Sequence, residues 1–166
     1  EGQDFFAAMQ FGCIVDTATR PATWQELVAE SDLVVSATIA EVVVVPEEPD
    51  DDVADENVYL RLDVQAVAKG EPAQSILVHD SCGTGGKVAP LRERIPAEEL
   101  VFVLQAPERA QPQLPDASYL LYYYLGIVRE QDGGLGYALG DEQTGPSLSE
   151  FDSAQALLDS VRGMQL

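Results

Sequence analysis

The run His79-Asp80-Ser81-Cys82 brings four reactive side-chain types together, and the chain holds one histidine and two cysteines in all. Histidine serves as a general base and serine or cysteine as a nucleophile, which is the chemistry of hydrolytic triads. A triad needs groups that converge from different segments, whereas neighbouring residues on a strand point to opposite faces. We therefore predict that this chain is not an enzyme and that His79 is a strand or rim residue.

Two glycine-rich segments match nucleotide-binding loops only in their glycine content. In the first, 83–87, Val88 stands where a phosphate-binding loop needs serine or threonine after its lysine, and Pro90 follows closely. The second, 134–140, is predicted to lie in a hairpin rather than at the start of a helix. The sequence therefore predicts no nucleotide site and no cofactor.

An acidic tract runs from Glu47 to Glu56 and admits two interpretations. Clustered carboxylates are hard oxygen ligands for calcium. However, Ala54 stands at the fifth position counted from Asp50, where an EF-hand loop has a ligand, and the loop glycine is missing. The tract is therefore either a solvated acidic loop or a weak calcium site. The ligands of such a site would be Asp50, Asp51, Asp52 and Asp55.

The charge balance excludes two classes of partner. Aspartate and glutamate number 29 against 9 lysines and arginines, which gives a net charge of −20 at pH 7. A field of that sign repels nucleic-acid phosphates and anionic lipid headgroups. No apolar run approaches the roughly 18 residues that a membrane-spanning helix requires. We therefore expect no nucleic-acid partner and no membrane span.

Helix signals occur near both ends of the chain. Thr23 is expected to cap a short helix over 24–31, and Glu26 three residues later completes a capping-box pattern. Farther along, apolar residues recur at helical spacing from Phe151 to Val161, with Ser147 as the expected N-cap. The sequence thus predicts one short helix before the strands and one helix after them.

Between these helices the hydrophobic pattern predicts five or six strands. Asp132-Gly133 lies between two of them and indicates a tight hairpin turn, because aspartate and glycine tolerate a positive φ. Many strands beside two terminal helices favour a small, closed or nearly closed barrel. The predicted strands are Leu33–Val45, Val58 to the turn at Lys69-Gly70, Ser75–His79, Glu99–Gln105, Tyr119–Glu130 and Leu135–Leu139.

The order of several short segments resembles that of a known family. A short helix leads into Ser31–Ile39, the next strand ends in Val64–Gly70, and a Ser81-Cys82-Gly83 turn precedes the strand Glu99–Leu104. Over roughly residues 13–130 this order is similar to the netrin-module and tissue-inhibitor-of-metalloproteinases type of OB-fold, which also occurs in secreted bacterial proteins of unassigned function. The resemblance implies an all-β, five- to six-stranded OB-fold-like barrel in a secreted or otherwise extracytoplasmic protein.

The two cysteines occupy the places where this family joins its N-terminal segment to the barrel. The resemblance therefore implies a Cys13–Cys82 disulfide, which would close about 70 residues and stabilise the fold by roughly 4 kcal/mol. Two unrelated buried thiols, suited to a cytosolic protein, are the alternative. The family's inhibitors chelate zinc through the amine of an N-terminal cysteine. Twelve residues precede Cys13, so inhibition by that mechanism is not expected.

Aromatic residues supply the candidate interface. Tyr122 and Tyr124 share one face of a predicted strand while Tyr119 takes the other, and tyrosine is enriched at protein interfaces. Core packing with a covered edge is the alternative. The rings of the N-terminal arm are expected to dock on the barrel or on a neighbouring molecule. The candidate interface residues are Phe5, Phe6, Phe11, Tyr119, Tyr122 and Tyr124.

The predicted organisation has three parts: an N-terminal arm over 1–12, the OB-fold-like barrel over 13–140, and a C-terminal helix over 141–166 that packs on the barrel. We expect an extracytoplasmic, non-enzymatic protein-binding or assembly module that acts through a protein partner or through self-association. Two alternatives are a protease inhibitor that acts through its barrel loops and a calcium- or carbohydrate-responsive surface module.

Overall fold

The computed structural model describes residues 5–6, 21–46, 56–79, 88–106, 118–121, 126–131, 133–138 and 145–164. Helices α1 (Trp24–Glu30), α2 (Val88–Glu93) and α3 (Ala154–Arg162) lie within these ranges. The strands are β1 (Leu33–Pro46), β2 (Glu56–Lys69), β3 (Ser75–His79), β4 (Leu100–Gln105), β5 (Ser118–Leu121), β6 (Ile127–Gln131) and β7 (Gly134–Tyr137). The protein is therefore mostly β with a few short helices, as the sequence predicts.

The strands pair in the order β1-β2-β3-β5-β4-β6-β7, and β1 also pairs with β4. The pairs are antiparallel except for β3 with β5, which are parallel. Strand β1 has the most extensive pairing: Leu33–Ala37 pair with Leu100–Leu104 of β4, and Val34–Pro46 pair with β2. Strand β1 therefore has a neighbouring strand along both edges over its first residues.

The apolar core has two parts, because β4 and the first three residues of β1 are apolar on both faces and successive strand residues point to opposite sides. One part, here called the strand core, is lined mainly by strands, and the other, called the helix core, is covered by α1 and α3. The strand core includes Leu33, Val35, Leu60, Leu62, Ile76, Val78, Leu100, Phe102, Leu104 and Ile127. The helix core includes Trp24, Leu27, Val34, Val101, Val103, Val128, Tyr137, Leu157 and Val161.

Helix α1 begins where the sequence predicts. The Thr23 hydroxyl accepts a hydrogen bond from the Glu26 N–H at 3.1 Å, and the Glu26 carboxylate accepts one from the Ala22 N–H at 2.8 Å. The capping residues are thereby confirmed, with the carboxylate bonded one residue before the N-cap. Trp24 and Leu27 are buried in the helix core, which fixes the face that α1 turns inward.

The end of α1 is held by the end of β2. The Lys69 ammonium donates to the Val28 carbonyl at 2.9 Å and also to the Ser31 carbonyl, two oxygens at the C-terminal end of the helix. The next residue, Gly70, has a φ of +92° and would place a Cβ 2.8 Å from the Asp32 carbonyl oxygen. The turn after β2 therefore packs directly against the connection between α1 and β1.

Helix α3 begins later than predicted. Its N-cap is Ser153, whose hydroxyl accepts a hydrogen bond from the Ala156 N–H at 3.1 Å, so the prediction of Ser147 is wrong. The Ser147 hydroxyl instead accepts a hydrogen bond from the Ser149 N–H at 3.3 Å. Serine side chains form such local bonds readily in turns. The first apolar residue of the predicted helix, Phe151, accordingly lies in the turn before it.

The hairpin predicted at Asp132-Gly133 is confirmed by the pairing of β6 with β7. Gln131 pairs with Gly134 across a two-residue connection, and Gly133 has a φ of +81°, which suits a tight turn. The predicted run Tyr119–Glu130 contains two strands, because β5 pairs with β3 and β4 whereas β6 pairs with β4 and β7.

Candidate functional site

The predicted interface residues Phe5 and Phe6 lie inside the protein. They are in helical conformation, are 2% and 1% exposed, and belong to the strand core. Their rings meet edge to face with centroids 5.4 Å apart, a favourable arrangement for two aromatic rings. At these two residues the N-terminal segment therefore packs against its own chain and presents little surface to solvent.

A cation lies over the ring of Phe6. The guanidinium carbon of Arg129 on β6 is 5.3 Å from the ring centroid, within the range of a cation–π interaction. The Nε of Arg129 donates to the Gln131 side chain at 3.3 Å, and the residue pairs with Gly136 on β7. The β6–β7 hairpin thus supplies part of the surroundings of Phe6.

Tyr119 is the predicted interface tyrosine that falls within the described residues. It lies on β5 and pairs with Val78 of β3. It is half-buried and packs against the strand core, so its ring is partly withdrawn from solvent. Phe11, Tyr122 and Tyr124 lie outside the described residues.

Several other predicted features also lie outside the described residues. They are the Cys13–Cys82 disulfide, the calcium ligands Asp50, Asp51, Asp52 and Asp55, and the residues 80–82 that follow His79. Within the described ranges, no three histidine, cysteine, aspartate or glutamate side chains are grouped so that they could hold a metal ion.

His79 is the last residue of β3, which confirms its prediction as a strand residue. Its ring centroid lies 5.0 Å from that of Tyr59, the residue directly opposite it on β2. Tyr59 is 1% exposed, whereas His79 is half-buried. The two rings therefore close this end of the β2–β3 ladder by packing against each other.

The outer edge of β7 is a feature that sequence reasoning missed. Gly134 and Gly136 pair with β6 across a two-residue connection and so occupy the hydrogen-bonded positions of the ladder. The backbone N–H and C=O groups of Leu135 and Tyr137 consequently face away from β6. No described strand pairs with that edge. The strand also carries neither charge nor proline, which are the usual protections of an exposed edge.

No protein-family model and no curated protein matches this chain. Among the helices of the described ranges, none is long and apolar enough to cross a membrane. With no related protein to compare, an inference about function rests on the structure itself. The two features that support one are the β7 edge and the packing of Phe5 and Phe6.

Two carboxylates near these features bind backbone groups. The Glu130 carboxylate on β6 accepts a hydrogen bond from the Ala154 N–H at 2.9 Å, where a negative charge also complements the N-terminal end of α3. The Asp32 carboxylate accepts one from the Ala106 N–H at 2.7 Å, just beyond the end of β4. Both side chains thus stabilise the ends of elements that frame the sheet.

Tyr137 fixes the position of β7 against the rest of the protein. Its hydroxyl donates to the Pro146 carbonyl at 2.8 Å, and its ring lies in the helix core with 5% exposure. Burial raises the pKa of the Tyr137 phenol above its ordinary value, because the ionised form would lose its hydration. The folded protein therefore holds this phenol in its neutral form.

We expect Tyr137→Phe to lower the free energy of unfolding by about 1 kcal/mol at neutral pH, because the buried Pro146 carbonyl loses its donor. In the unfolded chain the phenol ionises above about pH 10, so the wild-type protein loses stability as the pH rises into that range. Tyr137→Phe has no phenol to ionise at this position, so its free energy of unfolding should fall less as the pH rises. Urea unfolding near pH 7 and pH 10.5 measures both effects, and equal alkaline losses would contradict the expectation.

Proposed function

We propose that this chain is a non-enzymatic assembly module with an OB-fold-like barrel, in which a second copy pairs with the outer edge of β7. The observation that carries the proposal is this edge, where the backbone groups of Leu135 and Tyr137 face outward on a strand without charge or proline. Strand edges of this kind pair readily with another strand, through main-chain hydrogen bonds.

The strand pairings support the barrel. Strand β1 pairs with β2, β2 with β3, β3 with β5, β5 with β4, and β4 pairs again with β1. A circuit that returns to its first strand is what a small closed barrel requires. The β6–β7 hairpin extends from β4 outside this circuit, and among the described strands none pairs with its outer edge.

A two-fold antiparallel pairing of β7 with a second β7 suits this strand when it is centred on Gly136. Leu135 of one copy then lies opposite Tyr137 of the other, and their outward N–H and C=O groups bond to each other. The two glycines form the closely spaced pair at the centre, and the Gln131 side chain of each copy lies over its own Gly136. One surface patch thus serves both copies, as in most two-fold dimers.

The net charge of −20 opposes the association of two copies when the ionic strength is low. The screening length falls from about 10 Å at 0.1 M salt to about 3 Å at 1 M. We therefore expect self-association to become tighter in concentrated salt. This dependence separates β7 pairing, which rests on backbone hydrogen bonds, from binding driven by opposite charges, which salt would weaken.

Gly134→Glu is expected to weaken self-association about fivefold or more, because each copy then carries an added carboxylate beside the paired edge. A Cβ at Gly134 meets nothing within 4 Å, so the substitution leaves the hairpin undisturbed. Sedimentation velocity over a range of protein concentrations, in about 0.1 M and about 1 M sodium chloride, measures the dissociation constant.

Gly163→Glu is the matched control. It adds the same charge at the end of α3, where a Cβ meets no atom closer than 3.6 Å, and it should associate as the wild-type protein does. A monomer at every concentration and salt, or equal weakening by both substitutions, would count against β7 pairing.

An extracytoplasmic location with a Cys13–Cys82 bridge is part of the same proposal, supported by the resemblance to netrin-type modules. In denaturant, neither cysteine is expected to react with an alkylating reagent until a reductant is added, and the intact mass should be that of one chain. Alkylation of both thiols without reductant would contradict the bridge and favour a cytosolic protein.

A further inference from the structure

Phe5 and Phe6 lie in the strand core, but they are in helical conformation and belong to no strand. The remaining members of that core lie at residue 33 or later. The strands that line it pair with one another over β1, β2, β3, β4 and β5. The walls around the two rings are therefore held together by pairings to which Phe5 and Phe6 do not belong.

The two phenylalanines are joined to α1 by a long stretch of chain. Six residues separate Phe6 from Cys13, which the proposed bridge would tie to the barrel, and this stretch alone spans up to about 25 Å when extended. A domain of this length has a radius of gyration of roughly 15 Å. The same pair of rings can consequently reach the strand core of its own chain or that of an adjacent copy. Exchange of such a segment between identical chains needs no new contact.

We propose that the space holding Phe5 and Phe6 is an exchangeable binding site for a peptide with two adjacent aromatic residues. The N-terminal segment of the same chain fills it in the free protein, and the same segment of a second copy is the ligand that replaces it. This site is separate from the β7 edge and does not depend on pairing there.

Arg129 gives the site a preference for aromatic ligands. Its guanidinium lies over the ring of Phe6, and the two phenylalanine rings meet edge to face. Both contacts need a π-system, so an aliphatic pair of similar volume would lose them. Selectivity for two adjacent rings thus follows from the geometry rather than from apolar burial alone.

The test uses the full chain carrying Phe5→Ala and Phe6→Ala as receptor and a labelled peptide with the sequence of residues 1–11. Fluorescence anisotropy should show binding at least about tenfold tighter than to the wild-type protein. In the wild type the tethered segment competes at an effective concentration in the millimolar range. Arg129→Gln in the receptor should weaken binding about threefold. A peptide with alanine at both phenylalanine positions should not bind.

Circular dichroism establishes that the receptor is folded. If the double variant is not, the Phe6→Leu single variant takes its place with an expected gain over the wild type of about threefold, because its tethered Phe5 still competes. No binding to a folded receptor would overturn the proposal, as would equal binding of the alanine peptide or equal binding to the wild type. Gly134→Glu in the receptor should leave peptide binding unchanged, so failure of the β7 pairing and failure of this site are distinguishable.

Discussion

Replacing Gly70 by alanine is expected to lower the free energy of unfolding by about 2–4 kcal/mol. The φ of +92° at this position is one that residues with a Cβ adopt only with strain. The new Cβ would also lie 2.8 Å from the Asp32 carbonyl oxygen and 2.8 Å from Leu33 Cδ1. Backbone strain and overpacking each cost about 1–3 kcal/mol, and here they act together.

The Asp32 backbone has little freedom to move away from a side chain at position 70. Its N–H donates to the Leu104 carbonyl at 2.9 Å, and its carboxylate accepts the Ala106 N–H at 2.7 Å. A displacement of Asp32 would therefore pull on the first residues of β1 and the last residues of β4. This coupling is why we expect the cost at Gly70 to exceed that of backbone strain alone.

Gly133→Ala provides the matched control for Gly70→Ala. Gly133 also has a positive φ, +81°, but a Cβ there meets nothing within 4 Å. The Gly133→Ala variant should therefore lose only about 1 kcal/mol of its free energy of unfolding, from backbone strain alone. Urea unfolding followed by the fluorescence of Trp24, the one tryptophan of the sequence, compares the two variants. Equal losses would show that the close approach at Gly70 contributes nothing.

Lys69→Met is expected to lower the free energy of unfolding by about 1–2 kcal/mol. The variant keeps an unbranched apolar stem but removes the ammonium that donates to the Val28 and Ser31 carbonyls. Those oxygens lie at the negative end of the α1 dipole, where a cation is favoured. Hydrogen bonds from charged groups contribute about 1.5–3 kcal/mol when buried, and partial solvent screening reduces that value here.

Arg162→Met is the control for the loss of a cation at a helix end. Arg162 lies in the last turn of α3, donates to the Val67 carbonyl at 3.2 Å and pairs with Asp159 at 3.2 Å, all at exposed positions. Exposed pairs of this kind contribute little, so we expect a loss of about 0.5 kcal/mol or less. The prediction for Lys69 fails if the two methionine variants lose the same stability.

The sequence predicts those elements whose signals are local. The cap of α1 depends on Thr23 and Glu26, three residues apart, and the β6–β7 turn depends on a glycine within it. The sequence alone does not locate the start of α3, because both Ser147 and Ser153 suit a cap. The choice between them follows from the hydrogen bond that Ser147 forms with Ser149.

The features that support a function depend on contacts distant in sequence. Phe5 and Phe6 are apolar and could be recognised as groups that need burial, but their place in the strand core follows from strands that begin at residue 33. The outer edge of β7 follows from its being the last strand in the pairing order. Its sequence signal was the absence of charge and proline in the final strand of a predicted hairpin.

Where β1 and β4 pair, Ser36 is the one polar residue and both faces are otherwise apolar, which has a consequence for folding fidelity. In most sheets a one-residue slip moves apolar side chains into water, so the hydrophobic pattern enforces the alignment. Here a slip of Leu33–Val35 would only exchange side chains between two apolar compartments. The alignment must then be enforced at the strand ends, where Gly70 abuts Asp32 and the Asp32 N–H bonds to Leu104. Damage to this junction should yield compact, misaligned sheets as well as unfolded chains.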